Sequence, residues 1–207
     1  MALESRAEAW DPPHPVVLVG GRSRRFGRDK LREPIDGRPM VEHAIATLRA
    51  ALHAPVAVIG ECDPTVRDAG DLWLPDDHRG CGPIGGIVTA LRRLGGSAMV
   101  LAGDLPSIDA ETIVALIESF RGRAEASVAI SVAEDGGLRR RHPCTAIYAP
   151  ASRPILESRI ESGRFGLLAA IDTLPPDSVI EVECDPNRLV NVNAPGDLSA
   201  IRNSRRT

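Results

Sequence analysis

The chain has 207 residues, 43% hydrophobic and 26% charged, with a formal net charge of −3. That profile fits one soluble globular domain with a core of its own; it excludes disorder, collagen and coiled coil as descriptions of the whole chain. It also gives no basic surplus with which to hold nucleic acid. No apolar run approaches the ~18–20 residues that span a bilayer. The first fifteen residues alternate charge and lack the apolar stretch of a signal peptide, so a cytoplasmic protein without membrane contact is expected. Cys62, Cys81, Cys144 and Cys184 are scattered without CxxC spacing, which speaks against a disulfide framework or a zinc site. Of the 25 Lys and Arg residues only Lys30 is lysine, and it sits in the most glycine- and arginine-rich segment. A compact ammonium and a planar guanidinium are not interchangeable, which marks this position.

Short apolar runs alternate with longer amphipathic stretches. Residues 16–19 read as a buried strand that stops at Gly20-Gly21. Residues 39–52 carry apolar side chains at helical spacing, and 56–59 form a second strand. Asp63-Pro64 supplies an N-cap and a first-turn proline for a short helix. A third strand is expected at 72–74, followed by a loop from Pro75 to Gly86. Ile87, Ala90, Leu91 and Leu94 make a helical stripe that ends at Gly95-Gly96.

The next strand is at 98–101, after which Asp109 caps a helix with Thr112 in the N3 position. Strands at 126–132 and 143–148 follow, then helices near 150–160 and 165–174, closing strands at 179–182 and 189–192, and a last helix beginning at Pro195. The alternation predicts an α/β domain: a three-layer, Rossmann-like arrangement with a mainly parallel, mixed sheet and helices on both faces. The expected organisation is an extension at 1–15, a single domain at 16–202 and a tail at 203–207.

A glycine-rich turn after the first strand lies at the carboxyl edge of such a sheet, where these folds bind ligands. Gly20 and Gly21 let backbone N–H groups approach phosphate oxygens, and Arg22, Arg24, Arg25 and Lys30 add positive charge. The loop is neither GxxxxGK[ST] nor GxGxxG, so it is not a P-loop or the dinucleotide fingerprint. Asp104 ends an apolar strand at the same edge and is free of capping duty, because Asp109 takes that role. Mg²⁺ typically takes one or two carboxylates and completes its shell with water and substrate phosphates, which suits Asp104. The Gly/Pro-rich stretch from Asp76 to Gly86 exposes backbone groups that can read a base edge. Asn191 and Asn193 have period two and are expected on one face of a strand.

Leu18-Val-Gly-Gly-Arg-Ser-Arg-Arg-Phe-Gly-Arg-Asp-Lys30, Gly82-Pro-Ile-Gly-Gly86, Gly103-Asp104 and Asn191-Val-Asn193 together resemble the molybdenum cofactor guanylyltransferases over about residues 16–201. The resemblance implies transfer of GMP from GTP to the phosphate of molybdenum-bound molybdopterin, with release of pyrophosphate and Mg²⁺ as cofactor. It implies a nucleotide site at Leu18, Val19, Gly20, Gly21, Arg22, Ser23, Lys30, Asp76, Gly82, Pro83 and Asp104. Lys30, Asp104 and Arg25 are the expected catalytic residues, and Asp104 the metal ligand. His142, Asn191 and Asn193 are expected to meet the molybdopterin acceptor. Molybdoenzyme apoproteins or cofactor chaperones are the implied recipients of the product.

The sequence departs from that pattern at Val19 and Phe26, where the family usually has alanine and methionine. It departs also at Ile59-Gly60, where the family often has an asparagine near the nucleotide. Two alternatives stand beside guanylyl transfer. One is a related transferase using another nucleotide or another phosphorylated acceptor; the paired Gly20-Gly21 and the block beginning at Gly82 favour guanine over a pyrimidine. The other is a non-catalytic nucleotide-binding protein that delivers cofactor, against which stands the presence of both Lys30 and Asp104.

Overall fold

Val16 and Val17 have no exposed surface, and the strand they centre, β1 (His14–Leu18), lies in the middle of the sheet. The computed structural model describes residues 10–20, 29–194 and 196–198. Gly21, Arg22, Ser23 and Arg25, Pro195 and the tail from 203 therefore lie outside the described residues. β1 begins at His14 rather than at 16, and Trp10 ahead of it packs edge-on against Phe120 with ring centroids 6.2 Å apart.

A single 3-10 turn at Lys30–Arg32 leads into a miniature hairpin, β2 (Pro34–Ile35) and β3 (Arg38–Pro39). Asp36 and Gly37 turn it with φ of 50° and 79°, the left-handed pair that a two-residue hairpin requires. The Asp-Gly dipeptide was a readable signal for it, but the sequence reading passes over it. Helix α1 (Met40–Leu52) then precedes β4 (Ala57–Ile59), and α2 (Pro64–Arg67) starts where expected, with Asp63 accepting from the Thr65 N–H at 2.9 Å. Next come β5 (Leu72–Leu74), α3 (Pro83–Arg93), β6 (Ala98–Ala102) and α4 (Ala110–Phe120). The Asp109 carboxylate caps α4 by accepting from the Thr112 N–H at 2.9 Å. A long hairpin of β7 (Val128–Asp135) and β8 (Leu138–Tyr148), the helices α5 (Arg153–Glu161) and α6 (Leu167–Ile171), and β9 (Val179–Glu183) complete the fold.

The seven-stranded sheet has the order β5-β4-β1-β6-β8-β7-β9, and β8 alone runs against the others. Side chains alternate across it, as a pleated strand demands. Val17, Val58, Met99 and Leu101 pack with Met40, Ala44, Ile113 and Leu116 of α1 and α4. Val16, Ile59, Ala98 and Val100 pack with Ile84, Ile87, Leu156 and Ala170 of α3, α5 and α6. This is the expected three-layer, mixed, mostly parallel sheet.

Two expectations fail. Residues 83–86 are not loop: Gly82 (φ 73°) is the N-cap and Pro83 the first residue of α3, so Gly85 and Gly86 are buried helical glycines. Residues 189–192 are not a strand either. A 3-10 turn at Pro186–Arg188 precedes them, Leu189 and Val192 plug into the α1/α4 core, and the Val192 N–H donates to the Asp104 carbonyl at 3.0 Å. The apolar residues that suggested a strand serve, at Leu189 and Val192, as two anchors of an irregular strap. β8 also begins earlier than expected, because its first half, Arg-rich and exposed, carries no apolar signal.

Candidate active site

Strand β1 has its next parallel partner, β4, on one side and β6 on the other, and crevices at such switch points bind ligands outside the carboxyl ends of the strands. Here they open onto a cleft of ≈ 1150 Å³. Of the expected residues, Leu18, Val19, Gly20, Lys30, Asp76, Gly82, Pro83, Asp104, His142, Asn191 and Asn193 all line it.

Lys30 and Asp104 form its charged centre. Leu31 is buried and Asp29 accepts from the Leu31 and Asp63 N–H groups at 3.1 and 3.2 Å, so the turn that carries Lys30 is fixed at both ends. The Lys30 ammonium donates to Asp104 Oδ2 at 2.5 Å and to the Val192 carbonyl at 2.7 Å. Both side chains are only 16% exposed, where an ion pair is screened less than at an open surface. Asp104 is set at the cleft by Gly103, whose N–H donates to the Leu18 carbonyl at 3.0 Å and joins the ends of β1 and β6.

Asn191 behaves differently from expectation. Its side-chain amide donates to Asp104 Oδ1 at 2.6 Å, so that amide nitrogen braces the carboxylate. Asn193 is exposed at the rim, and its own N–H donates to Asp197 Oδ2 at 2.8 Å. The pair does not share a strand face.

The α3 end of the cleft is built by close packing. A Cβ on Gly86 would come within 2.8 Å of Leu18 Cδ2, and one on Gly85 within 2.7 Å of the His78 carbonyl and 2.9 Å of Asp76 Oδ2. Asp76 Oδ1 accepts from the His78 N–H at 2.8 Å and from the Thr89 hydroxyl at 3.2 Å. The block from Gly82 thus meets the cleft as the N-terminal turn of a helix, whose dipole is positive at that end. Leu18, Ile59, Pro83 and Gly86 give this side of the cleft an apolar floor.

The opposite side is shaped by a bulge. β8 pairs His142 with Ser131 and then Ala146 with Ile130, which leaves Pro143, Cys144 and Thr145 outside the β7–β8 ladder and facing the cleft. Bulges of this kind re-aim side chains next to sites. The buried Tyr148 hydroxyl donates to the Pro143 carbonyl at 2.7 Å and holds the bulge. Burial and the Arg140 charge push the His142 imidazole below its ordinary value. Burial and the Asp104 charge push the Cys144 thiol up to about 12. Glu61, Arg79, Arg141, Cys144 and Thr145 also line the cleft, and the sequence reading gave none of them a ligand role.

A divalent cation fits this donor set in one way. Among the described residues no group of three or more His, Cys, Asp or Glu side chains could hold a metal. Asp104 supplies a single hard carboxylate, which matches Mg²⁺ taken up with phosphate oxygens rather than a protein-only cage.

The sheet order and the cleft at its switch point define a Rossmann-like nucleotidyltransferase. Residues 15–176 match the family described as the MobA-like NTP transferase domain, and the chain belongs to that family. It is 35% identical over 193 residues to a probable molybdenum cofactor guanylyltransferase of Thermococcus kodakarensis, covering 90% of this chain and 92% of that one. Its counterpart from Pyrococcus horikoshii is 33% identical over 193 residues, covering 90% and 97%. Among solved structures, the molybdopterin-guanine dinucleotide biosynthesis protein A of Archaeoglobus fulgidus superposes with a TM-score of 0.73 at 24% identity, over 93% of this chain and 98% of that one. The 4-diphosphocytidyl-2C-methyl-D-erythritol synthase of Anaerococcus prevotii does so at 0.74 with 10% identity, over 95% and 97%. At these identities both superpositions speak for the fold. No helix of the described residues is long and apolar enough to cross a membrane.

Proposed function

We propose that this chain is a molybdenum cofactor guanylyltransferase, transferring GMP from GTP to the terminal phosphate of molybdenum-bound molybdopterin and releasing pyrophosphate. The observation that carries this reading is the Lys30–Asp104 pair at the switch point, braced by Asn191 and Val192. The relatives' printed names supply the choice of nucleotide and acceptor.

In the reaction an oxygen of the acceptor phosphate forms a bond to the α-phosphorus of GTP while the bond to the β-phosphate oxygen breaks. One anion must approach another, so positioning and charge neutralisation carry the catalysis and no protein nucleophile is needed. Gly20 offers its backbone N–H to the triphosphate, and Gly21, Arg22, Ser23 and Arg25, which follow it in sequence, are assigned to the same phosphate-binding role by the family resemblance. Lys30 sets its ammonium against the triphosphate charge. Asp104 would hold Mg²⁺ together with phosphate oxygens, and the ion would supply charge neutralisation at the pyrophosphate leaving group. Leu18, Pro83 and Gly82 floor the nucleoside end, with Asp76 braced behind it. The bulge with His142, together with Asn193, faces the acceptor. A neutral His142 at pH 7 offers a hydrogen bond without a second cation. The cytoplasm is the proposed place of action, and molybdoenzyme apoproteins or cofactor chaperones the recipients.

Lys30→Ala and Asp104→Ala, each confirmed folded, are expected to lower turnover by ~100-fold or more, the scale of losing one electrostatic stabiliser. Pyrophosphate release with GTP and molybdenum-molybdopterin reads this directly. Near-normal rates in both variants, or a preference for CTP over GTP in the parent protein, overturn the reading.

A further inference from the structure

On the apolar side of the cleft two opposite charges meet at the rim. Arg79 Nη2 lies 2.7 Å from Glu61 Oε1, and both residues line the cleft. Their side chains are 68% and 58% exposed, so the pair itself adds little to stability and exchanges partners cheaply.

The backbones beneath them are fixed. The Gly60 N–H donates to the Leu74 carbonyl at 3.1 Å and the Gly60 carbonyl accepts from Trp73 Nε1 at 3.0 Å, immediately before Glu61. The Glu61 carbonyl abuts Gly20, 3.2 Å from where a Cβ would sit, which places it beside the start of the phosphate loop. The turn that carries Arg79 is closed by His78 N–H to Asp76 Oδ1 at 2.8 Å and by Cys81 N–H to the His78 carbonyl at 3.2 Å, and Thr89 of α3 ties it down by accepting from the Asp77 N–H at 3.0 Å and donating to Asp76 Oδ1 at 3.2 Å. Two exposed charged heads on anchored stems therefore share the cleft with the apolar side chains of Leu18, Ile59 and Pro83.

We infer that Glu61 and Arg79 read the guanine base, an inference that rests on the guanylyl-transfer reading above. Guanine offers two donors, N1–H and N2–H, beside two acceptors, O6 and N7. A carboxylate accepts from the donor pair, and an arginine fork donates to the acceptor pair. The two edges meet at the O6–N1 junction, so an acid and a base in contact with each other can read both at once. Glu61 and Arg79 are that arrangement. With no nucleotide in the cleft they satisfy one another; a guanine takes a share of each. Adenine offers the carboxylate no donor at N1 or C2 and replaces the O6 acceptor with an amino donor, so only N7 of the four guanine contacts survives.

The inference separates the two side chains by atom. ITP keeps O6, N7 and N1–H but lacks the N2 amino group. Steady-state kcat/KM for pyrophosphate release, with molybdenum-molybdopterin as acceptor, is measured with GTP, ITP and ATP. The parent protein is expected to favour GTP over ITP by about tenfold, the weight of one charge-assisted hydrogen bond. Glu61→Ala is expected to erase that GTP/ITP preference. Arg79→Ala is expected to lower GTP and ITP together by about tenfold or more and keep their ratio. Both side chains are exposed, so unchanged Tm values certify that the variants are folded. A parent that prefers GTP, with both variants keeping its GTP/ITP and GTP/ATP ratios and its kcat/KM, overturns this inference while guanylyl transfer stands. A parent without GTP preference, or without turnover, overturns both.

Discussion

Gly85 is the tightest point of the α3 end of the cleft, and alanine there sets two effects against each other. Replacing a helical glycine by alanine returns about 1 kcal/mol through the unfolded chain. Against it, the new Cβ would stand 2.7 Å from the His78 carbonyl and 2.9 and 3.0 Å from the two Asp76 oxygens. None of these is the loose end of a flexible chain: one is backbone, and the carboxylate is held by the His78 N–H and Thr89. Overpacking of this kind costs roughly 1–3 kcal/mol, so with rigid neighbours the balance is a loss of about 1–2 kcal/mol. For a domain of this size that lowers Tm by roughly 2–8 °C. Gly86→Ala is the internal control. Its Cβ meets only the end of the Leu18 side chain, at 2.8 Å, and Ile59 Cγ2 at 3.7 Å, so Leu18 can yield and the helical gain survives. Thermal unfolding of both variants by circular dichroism is the assay, with KM for GTP as the functional companion. Gly85→Ala is expected to fall in Tm and rise in KM, and Gly86→Ala to hold its Tm. A Gly85→Ala protein as stable as the parent, or equal shifts in the two variants, refutes the packing argument.

Asn191→Leu removes the 2.6 Å hydrogen bond to Asp104 and is expected to lower kcat by about 10-fold or more, the scale of a hydrogen bond to a charged group, with a smaller change in KM for GTP. Steady-state kinetics check this, and an effect confined to KM for the acceptor returns Asn191 to a direct acceptor-binding role. Cys144, with its thiol pushed up to about 12, holds almost no thiolate at pH 8 and is expected to react with iodoacetamide far more slowly than a free cysteine. Mass spectrometry of the alkylated protein reads this site by site; labelling of Cys144 at the rate of a free thiol contradicts the burial argument.

Most strands of the sheet were legible because they are short, apolar and bounded by Gly, Pro or Asp, and a buried parallel strand needs little else. Two failures show where that reasoning stops. Residues 189–192 are as short and apolar as a closing strand, yet Leu189 and Val192, three positions apart, anchor a strap to the core. Gly82 to Gly86 look like loop because glycine is a poor helix former, but Gly85 and Gly86 are there to let α3 approach Asp76 and Leu18. Lys30 and Asp104 were readable, the first as the sole lysine and the second as a strand-end acid that no cap required. Glu61 and Arg79 were not. Each is one exposed charge among many, and only the pairing of two distant loops across the cleft sets them apart. The bulge at Pro143 was equally hidden, since its register shift leaves no trace in residue type.

The brace on the Lys30–Asp104 pair comes from a segment far along the chain. Lys30 waits for a carbonyl 162 positions later, and Asp104 for an amide 87 positions later. As the polypeptide leaves the ribosome, every strand of the sheet has emerged by Glu183 while the two opposite charges at the switch point still lack that scaffold. A chain broken off between β9 and Asn191 would lose the bracket and, with it, the Val192 anchor that the strap buries in the α1/α4 core. Competence therefore waits on the strap at residues 189–193, after every strand of the sheet has been made.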